Sequence, residues 1–546
     1  VFLQNLLLEE HFDFDYIDED ILSRHGSVEG DCLRVAEAKY RVVVVPPMLT
    51  IRESTRKTLE EFIEAGGNLI FVEPIPERVD ALPSEGAKKL AGRAIRVPLE
   101  RESLVDALSA TGKIRRVSIR TEEGEEFRNS LYMLRYDEKT GRFLAFICHT
   151  RQDEESGPLV VRMPGRGQVQ EWDPQTGEVF LADAEQEGEE VAIRTELPGV
   201  GSRIFVVDPN PRQDLMPRPK FHEVRRQTIK RDRWPILRDE PNAFPLDVAE
   251  FSINGGPWQG PQEVLKIDMA VRDAMGLPHR GGRMCQPWAD KPPDVKPVPL
   301  KLRFRFGVES LPRGTCHLVL EEPGRYRTFL NGYELDPDED EGWWIDKSFR
   351  KIPVAPWCLK EGENELILET EYGPTHGLES LYFAGEFGVR LEGRRFVVTE
   401  LPTGLAIGDW TAQGFPCYGG TISYIAEVEV SLSGKERVFL ELPSWQGILV
   451  KVRANGRSVG AIAWPPYELD ITEALRDGVN RLEIQVTGSR RNLLGPLHNV
   501  EKYPRWTGPG QFVTTGEAWT DDYVLLPYGL MQDPVLSVRV NEGRRP

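Results

Sequence analysis

The sequence predicts a multidomain, mainly β protein: an α/β layer at the N-terminus, a small antiparallel β-domain, and two β-sandwiches. Three observations predict it. Only residues 1–115 alternate helical and strand patterns, period-two alternation fills residues 116–208, and one turn-and-strand pattern occurs twice in the C-terminal half. The first copy reads "FLNGYEL…WWIDKSF…LKEGENELIL" and the second "VRANGRSVG…YELDITEALRDGVNRLEI". Fifteen residues separate Asn331 from Asp346 and also Asn455 from Asp470, and Gly362-x-Asn364-x-Leu366 matches Gly478-x-Asn480-x-Leu482. Asn-Gly is a strong hairpin signal because both central residues of a type I′ turn need positive φ, and the flanking β-rich runs then read as antiparallel strands.

In residues 1–115, "VFLQNLLLEEHFDFDYIDEDIL" has apolar residues at helical intervals, and "HFDFDYIDED" reads as a charged helix face. "YRVVVVPPM" (Tyr40–Met48) and "NLIFVEPIP" are short continuous apolar runs, the mark of strands buried on both faces. Between them "TIRESTRKTLEEFIEAGG" is an amphipathic helix stopped by Gly66-Gly67. This is part of a flavodoxin/amidotransferase-like α/β layer, short of the strands such a layer normally has. The first strand ends in Pro46-Pro47-Met48. It has no nucleophile elbow and no glycine-rich phosphate cradle, so the layer reads as architectural.

Residues 116–208 carry the period-two runs "SLYMLRYD", "RFLAFICHT", "PLVVRM", "VQEWDPQTGEVF" and "SRIFVVDP", with turns at "DEKTG" and at Asp173-Pro174 to Thr176-Gly177. Residues 209–244, rich in Pro and Arg, read as a linker strapped across an acidic neighbour. The first sandwich follows over 245–395, interrupted by a helix "PQEVLKIDMAVRDAMG", and the second over 396–546.

Both copies of the repeat resemble the sugar-binding, galactose-binding-like jelly-roll domain that lies beside the catalytic barrel of glycoside hydrolase family 2 and similar enzymes. There a strand carries Asn-Gly, a later strand opens on Asp-Ile-Thr, and Gly-x-Asn-x-Leu starts the next. The second copy matches more fully, through "WPPYELDITEALRDGVNRLEIQV" and "RRNLLGPLHN". With its upstream segments the chain is also similar to the non-catalytic portion of α-L-rhamnosidase-like enzymes of glycoside hydrolase family 106. The resemblance implies an accessory, carbohydrate-binding or structural role beside an upstream catalytic barrel of the same polypeptide. The motifs specify fold well and ligand poorly, and an autonomous carbohydrate-binding or scaffold protein is the alternative.

Composition narrows the classes. The net charge of −19 opposes nucleic acid and anionic membrane surfaces as partners. No apolar run approaches the roughly 20 residues of a membrane span. The first residues lack the basic n-region of a signal peptide, which points to the cytoplasm, and the missing initiator Met points to a chain that begins inside a larger protein. Six Cys, at 32, 148, 285, 316, 358 and 417, are too dispersed for a disulfide framework or a zinc site, and Cys148 and Cys316 are expected to be buried thiols.

A glycosidase needs two carboxylates about 5–10 Å apart, which the resembled enzymes take from a barrel of about 250 residues. The alternating segment here is too short to be that barrel, so no catalytic residue is assigned. Carbohydrate contact is the remaining chemistry, since sugar rings stack on aromatic faces. Trp410, Tyr418, Trp445, Trp464 and Trp506 sit near Gly or Pro, as do Tyr467 and Trp519, and core packing is the competing reading for each. In "NLLGPLHN", His498 and Asn499 are candidates through the resemblance. One of the adjacent Trp343 and Trp344 must face away from its sheet if both lie on a strand. No cofactor is called for. Asp336, Asp338 and Asp340 form a weak calcium candidate that departs from the calcium-hand pattern and reads better as a solvated tip.

Overall fold

The computed structural model describes residues 1–112, 114–280 and 293–542; Cys285 lies outside them. Strands hold 43% of the structure and helices 15%, so the mainly β, multidomain class stands. The chain forms two compact units, Val1–Lys220 with Trp464–Pro466, and Phe221–Ala463 with Tyr467–Pro546.

In the first unit, strands Val42–Val45, Asn68–Val72 and Ile95–Val97 form a parallel sheet with Asn68–Val72 at its centre. That strand is buried on both faces. Leu69 and Phe71 join a core with Leu59 and Phe62 of helix Glu53–Glu64, while Ile70 and Val72 join one with Leu104 and Leu108 of helix Arg101–Ala110. The first predicted helix is instead two, Phe2–Glu9 and Glu19–His25. The charged segment between them is irregular. His11 has φ +57, and the Asp18 carboxylate accepts from the backbone N–H groups of Asp20 and Ile21, restarting the helix.

The small β-domain packs a four-stranded sheet (Ser118–Thr121, Pro158–Pro164, Glu190–Glu196, Ala184–Glu187) against a five-stranded one (Ser130–Asp137, Arg142–His149, Ser202–Asp208, Gln168–Trp172, Val179–Leu181). Both predicted turns are present. Asp137 accepts from the N–H of Gly141 at 2.8 Å, and Asp173 from that of Gly177 at 2.9 Å.

Glu126 is the electrostatic anchor of this unit. It accepts from His11 at 2.7 Å, Ser118 at 2.7 Å and Arg120 at 2.9 Å. Burial alone would raise its pKa, but these donors outweigh burial and bring it down to about 2 from 4.5. Because the folded value lies below the unfolded one, the stabilisation is complete above pH 4.5 and is lost as pH falls toward 2. It is worth up to about 3 kcal/mol. Acid titration of the unfolding free energy is expected to show this loss, and Glu126→Gln is expected to flatten it while lowering stability at pH 7.

The second unit holds two sandwiches of matching layout. In the first, Asn242–Leu246, Leu381–Gly385, Cys316–Glu321, Asp346–Val354 and Trp343–Trp344 form one sheet. The other is built on the long pair Val298–Val308 and Gly362–Tyr372, flanked by the hairpin Arg327–Leu330 to Tyr333–Leu335. The second sandwich repeats this with Thr421–Val430, Gly478–Thr487 and the hairpin Leu449–Ala454 to Arg457–Ile462. Its facing sheet is Phe221–Thr228, Val535–Asn541, Glu436–Glu441 and Glu468–Asp470.

The Asn-Gly hairpins have the predicted geometry. Asn331 and Gly332 have φ +50 and +86, and Asn455 and Gly456 have +50 and +80. The repeat has a further purpose. The Asn331 amide donates to Asn364 Oδ1 at 2.7 Å and the Asn455 amide to Asn480 Oδ1 at 2.8 Å, so the two motifs lock together. Asp346 and Asp470 likewise accept from the N–H and hydroxyl of Ser348 and Thr472, starting the same turn in each copy.

The linker reading of 209–244 is corrected. Phe221–Thr228 pairs with Val535–Asn541, and Trp234–Arg238 pairs with Gly404–Leu405 and Thr421–Val430. Asn242–Leu246 pairs with Leu381–Gly385. The second sandwich therefore begins at Phe221, and the first is inserted within it. Of the basic residues that suggested a linker, Arg225 and Arg226 lie on the exposed strand Phe221–Thr228, where Arg226 pairs with Glu441 at 2.6 Å, and the largely buried Arg238 pairs with Glu386.

Candidate functional site

A cavity of about 170 Å³ opens in the second unit, between the first sandwich and the loops that follow strand Gly478–Thr487 of the second. Four carboxylates are among its lining residues: Asp247, Glu263, Glu321 and Glu379. Each stands at an element end, where side chains leave the sheet. Asp247 joins strands Asn242–Leu246 and Val248–Ile253, Glu263 ends Gln259–Glu263, Glu321 ends Cys316–Glu321, and Glu379 precedes Leu381–Gly385. His498 and Trp519 line it as well.

The loop "NLLGPLHN" is held from below by Asn492, fully buried. Its amide donates to the carbonyls of Pro416 at 3.0 Å and Leu526 at 2.8 Å, and its oxygen accepts from Leu526 N–H at 2.8 Å. His498 is 7% exposed. Its Nδ1 lies 3.1 Å from the Thr520 carbonyl, an acceptor only, which places a proton on Nδ1. Nε2 lies 3.4 Å from Asp247 Oδ2, a charge contact with no hydrogen bond, and has no hydrogen-bond partner. The ring stacks on Trp519 with centroids 5.0 Å apart and packs on Tyr523 at 4.8 Å. Burial disfavours the imidazolium, but Asp247, Glu263 and the Thr520 carbonyl outweigh it, so the His498 pKa is raised.

Asp247, 3% exposed, accepts from the Tyr523 hydroxyl at 2.5 Å. Glu263 is 8% exposed and caps helix Val264–Met275, its Oε2 accepting from the N–H groups of Leu265 at 3.0 Å and Lys266 at 3.3 Å. Burial, with the charge of Asp247 adding, pushes its pKa up to about 7 against those two bonds. A carboxyl that holds its proton more tightly folded than unfolded destabilises the fold as pH rises from 4.5 to 7. The loss is up to about 3 kcal/mol. Thermal melts are expected to show wild-type stability falling between pH 5 and 8 relative to Glu263→Gln, which keeps an acceptor for the cap and carries no charge.

The sequence-predicted candidates divide. His498 lines the cavity together with Asn499. The Asn499 side chain is committed to its own loop, donating to the Gln511 carbonyl at 2.9 Å and accepting from Glu501 N–H at 2.9 Å. Trp410 and Tyr418 are 0% and 1% exposed and belong to the second sandwich's core, so neither ring offers a face to a sugar. Trp445 is half-buried against Tyr467. Trp464 and Trp506, 45% and 64% exposed, are not in the cavity lining. Trp344 packs on the first core while Trp343 is exposed.

Asp336 and Asp340 serve as local caps, accepting from the N–H groups of Asp338 and Gly342, and Asp340 also pairs with Arg350 at 2.6 Å. Among the described residues no group of three or more His, Cys, Asp or Glu is arranged to hold a metal. Cys32, Cys148, Cys316, Cys358 and Cys417 are free; Cys316 is buried, whereas Cys148 is only half-buried. No described helix is long and apolar enough to cross a membrane.

The first unit contains a Ser–His–acid connectivity that sequence reading missed: Ser130 Oγ lies 3.0 Å from His11 Nε2, and His11 Nδ1 lies 2.7 Å from Glu126. Ser130 and His11 are both 0% exposed, and the Ser130 hydroxyl donates to the Phe127 carbonyl at 2.6 Å. It is a sealed structural network with no path for a substrate.

No protein-family model matches the chain. A putative beta-glucuronidase of Formosa agariphila is 33% identical over 107 residues, which is 18% of this chain and 9% of that protein. Among solved structures, the rhamnosidase from Novosphingobium sp. PP1Y is 14% identical, covering 97% of this chain and 36% of that one with a TM-score of 0.47. Streptomyces avermitilis alpha-L-rhamnosidase complexed with L-rhamnose is 12% identical over 74% of this chain and 32% of that one, with a TM-score of 0.22. Alpha-L-fucosidase isoenzyme 2 from Paenibacillus thiaminolyticus is 10% identical over 38% and 45%, with a TM-score of 0.26. The chain thus spans about a tenth of the curated relative and about a third of the first rhamnosidase. The proteins it is similar to over these segments are named as glycoside hydrolases; likeness at this level says nothing about which sugar, if any, this chain handles.

Proposed function

We propose that this chain is the accessory, carbohydrate-binding and structural portion of a glycoside hydrolase, and that its ligand site is the cavity between the two sandwiches. The observation that carries the reading is the convergence of His498, Trp519 and buried carboxylate acceptors on one enclosed space. Sugar hydroxyls need a few fixed acceptors and donors beside an aromatic wall, and this cavity supplies both. The motif resemblance and the 107-residue match to a protein named as a glucuronidase support the same reading. At about 170 Å³ the space is smaller than the roughly 300–1,000 Å³ of drug-sized pockets, so it takes a single ring.

Titration calorimetry with a panel of monosaccharides tests this. Saturable binding is expected, reduced at least tenfold by Ser380→Trp, which fills the cavity from its partly exposed wall. Binding that survives this substitution would place the ligand elsewhere.

A further inference from the structure

We propose that Asn254 is a site of spontaneous covalent modification, deamidation by water through a cyclic imide, and that the fold shields the chain's other two Asn-Gly pairs from the same reaction. Asn-Gly occurs three times, at 254–255, 331–332 and 455–456. The three pairs share one backbone geometry. The φ values are +54 and +70 at the first, +50 and +86 at the second, and +50 and +80 at the third. They differ in what holds the asparagine side chain.

Asn331 and Asn455, both half-buried, are each tied by three bonds. The Asn331 amide donates to the Cys358 carbonyl at 2.9 Å and to Asn364 Oδ1 at 2.7 Å, and its oxygen accepts from Glu365 N–H at 3.1 Å. The Asn455 amide donates to the Ala474 carbonyl at 2.9 Å and to Asn480 Oδ1 at 2.8 Å, and its oxygen accepts from Arg481 N–H at 3.1 Å. Asn254 is exposed, and its side chain has no hydrogen-bond partner among the described residues. Its backbone is held in the turn: the Asn254 N–H donates to the Pro299 carbonyl at 2.8 Å, and the Gly256 N–H to the Ile253 carbonyl at 3.0 Å.

The reaction requires the side-chain amide carbon to swing onto the next backbone nitrogen, which a free side chain does and a tied one does not. Hydroxide from solvent takes the Gly255 N–H proton, and the nitrogen attacks Asn254 Cγ. The bond from Cγ to the side-chain nitrogen breaks, and that nitrogen takes a proton from water and leaves as ammonia. Water then opens the imide at either carbonyl, giving aspartate or isoaspartate at position 254. Water is consumed and ammonia released in equal amounts, with no oxidant or reductant. Glycine has no side chain to crowd the attacking nitrogen, and around Gly255 no atom lies within 4 Å of where a Cβ would stand. Either product adds a negative charge to a chain already at −19. Isoaspartate also routes the main chain through Cβ in the loop between strands Val248–Ile253 and Gln259–Glu263.

Incubation of the whole chain in mildly alkaline buffer, followed by peptide mapping with mass spectrometry, is the test. In the folded chain the peptide carrying Asn254 is expected to gain the mass of an amide-to-acid exchange at least about tenfold faster than those carrying Asn331 or Asn455, neither of which turns without giving up three bonds. In urea the three rates are expected to converge. Asn254→Asp has no amide to lose and tolerates the left-handed backbone; it is expected to abolish the gain in its own peptide and leave the other two unchanged. Equal rates at the three sites in the folded chain would overturn the proposal. A difference that persists undiminished in urea would overturn it too, because it would then belong to the flanking sequence. A gain that survives Asn254→Asp would overturn the assignment by placing the reaction at another amide of the same peptide.

Discussion

Asn480→Ala is expected to destabilise the second sandwich by about 3–5 kcal/mol, the range for breaking a buried polar network. The side chain is fully buried, and all of its hydrogen-bonding capacity is used. Its oxygen accepts from Arg476 N–H at 2.9 Å and from the Asn455 amide at 2.8 Å, and its amide donates to the carbonyls of Arg476 at 2.7 Å and Gly478 at 2.9 Å. Alanine would leave these partners unpaired in the interior, which is dearer than the bonds themselves. It would also release Asn455, whose oxygen holds Arg481 N–H at 3.1 Å and whose φ of +50 is held by the hairpin.

Asn364 makes the same four contacts in the first sandwich, so Asn364→Ala is expected to cost a similar amount there. Urea unfolding with Val479→Ala, an exposed neighbour, as control measures the difference. A cost below about 1 kcal/mol would mean that turn propensity alone forms these hairpins.

Trp234→Ala is expected to cost about 3–5 kcal/mol, the range for deleting a large buried aromatic. Trp234 has no exposed surface and packs edge-on against Tyr424 with centroids 6.1 Å apart, within the core of the second sandwich. Its strand pairs with Thr421–Val430, more than 180 residues later in the chain. Its indole N–H has no hydrogen-bond partner, so Trp234→Phe should lose packing alone and cost less. A tryptophan in a solvated linker would cost nothing, so the unfolding free energy of the alanine variant decides between a linker and an inserted-sandwich architecture.

The sandwiches were legible because their signals are local. Asn-Gly, Asp-x-Ser/Thr and Gly-x-Asn-x-Leu each fix backbone geometry within a few residues, and the doubling at equal spacing made them a pattern. The double-faced strand Asn68–Val72 was legible for the same reason, as an unbroken apolar run. The strand Trp234–Arg238 was not, because its pairing partners lie far along the chain and it directly follows the charged run Lys230–Arg233.

The site was partly legible. His498 was found through its motif, but Asp247, Glu263, Glu321 and Glu379 are dispersed among 87 acidic residues, and only folding brings them together. The aromatic criterion misled at Trp410 and Tyr418. Neighbouring glycines were read as loops that expose a ring, whereas both rings are buried, and the glycine that packs closely on one of them is distant in sequence: a Cβ at Gly488 would stand 3.1 Å from the Trp410 ring.

Hydrolysis of an aryl-glycoside panel that includes α-L-rhamnoside and β-galactoside, by this purified and folded chain, tests the accessory role most directly. No turnover above a protein-free control is predicted, together with the calorimetric binding described above. Turnover that disappears in Glu263→Gln would contradict the accessory role and make the carboxylates of the cavity an acid/base pair.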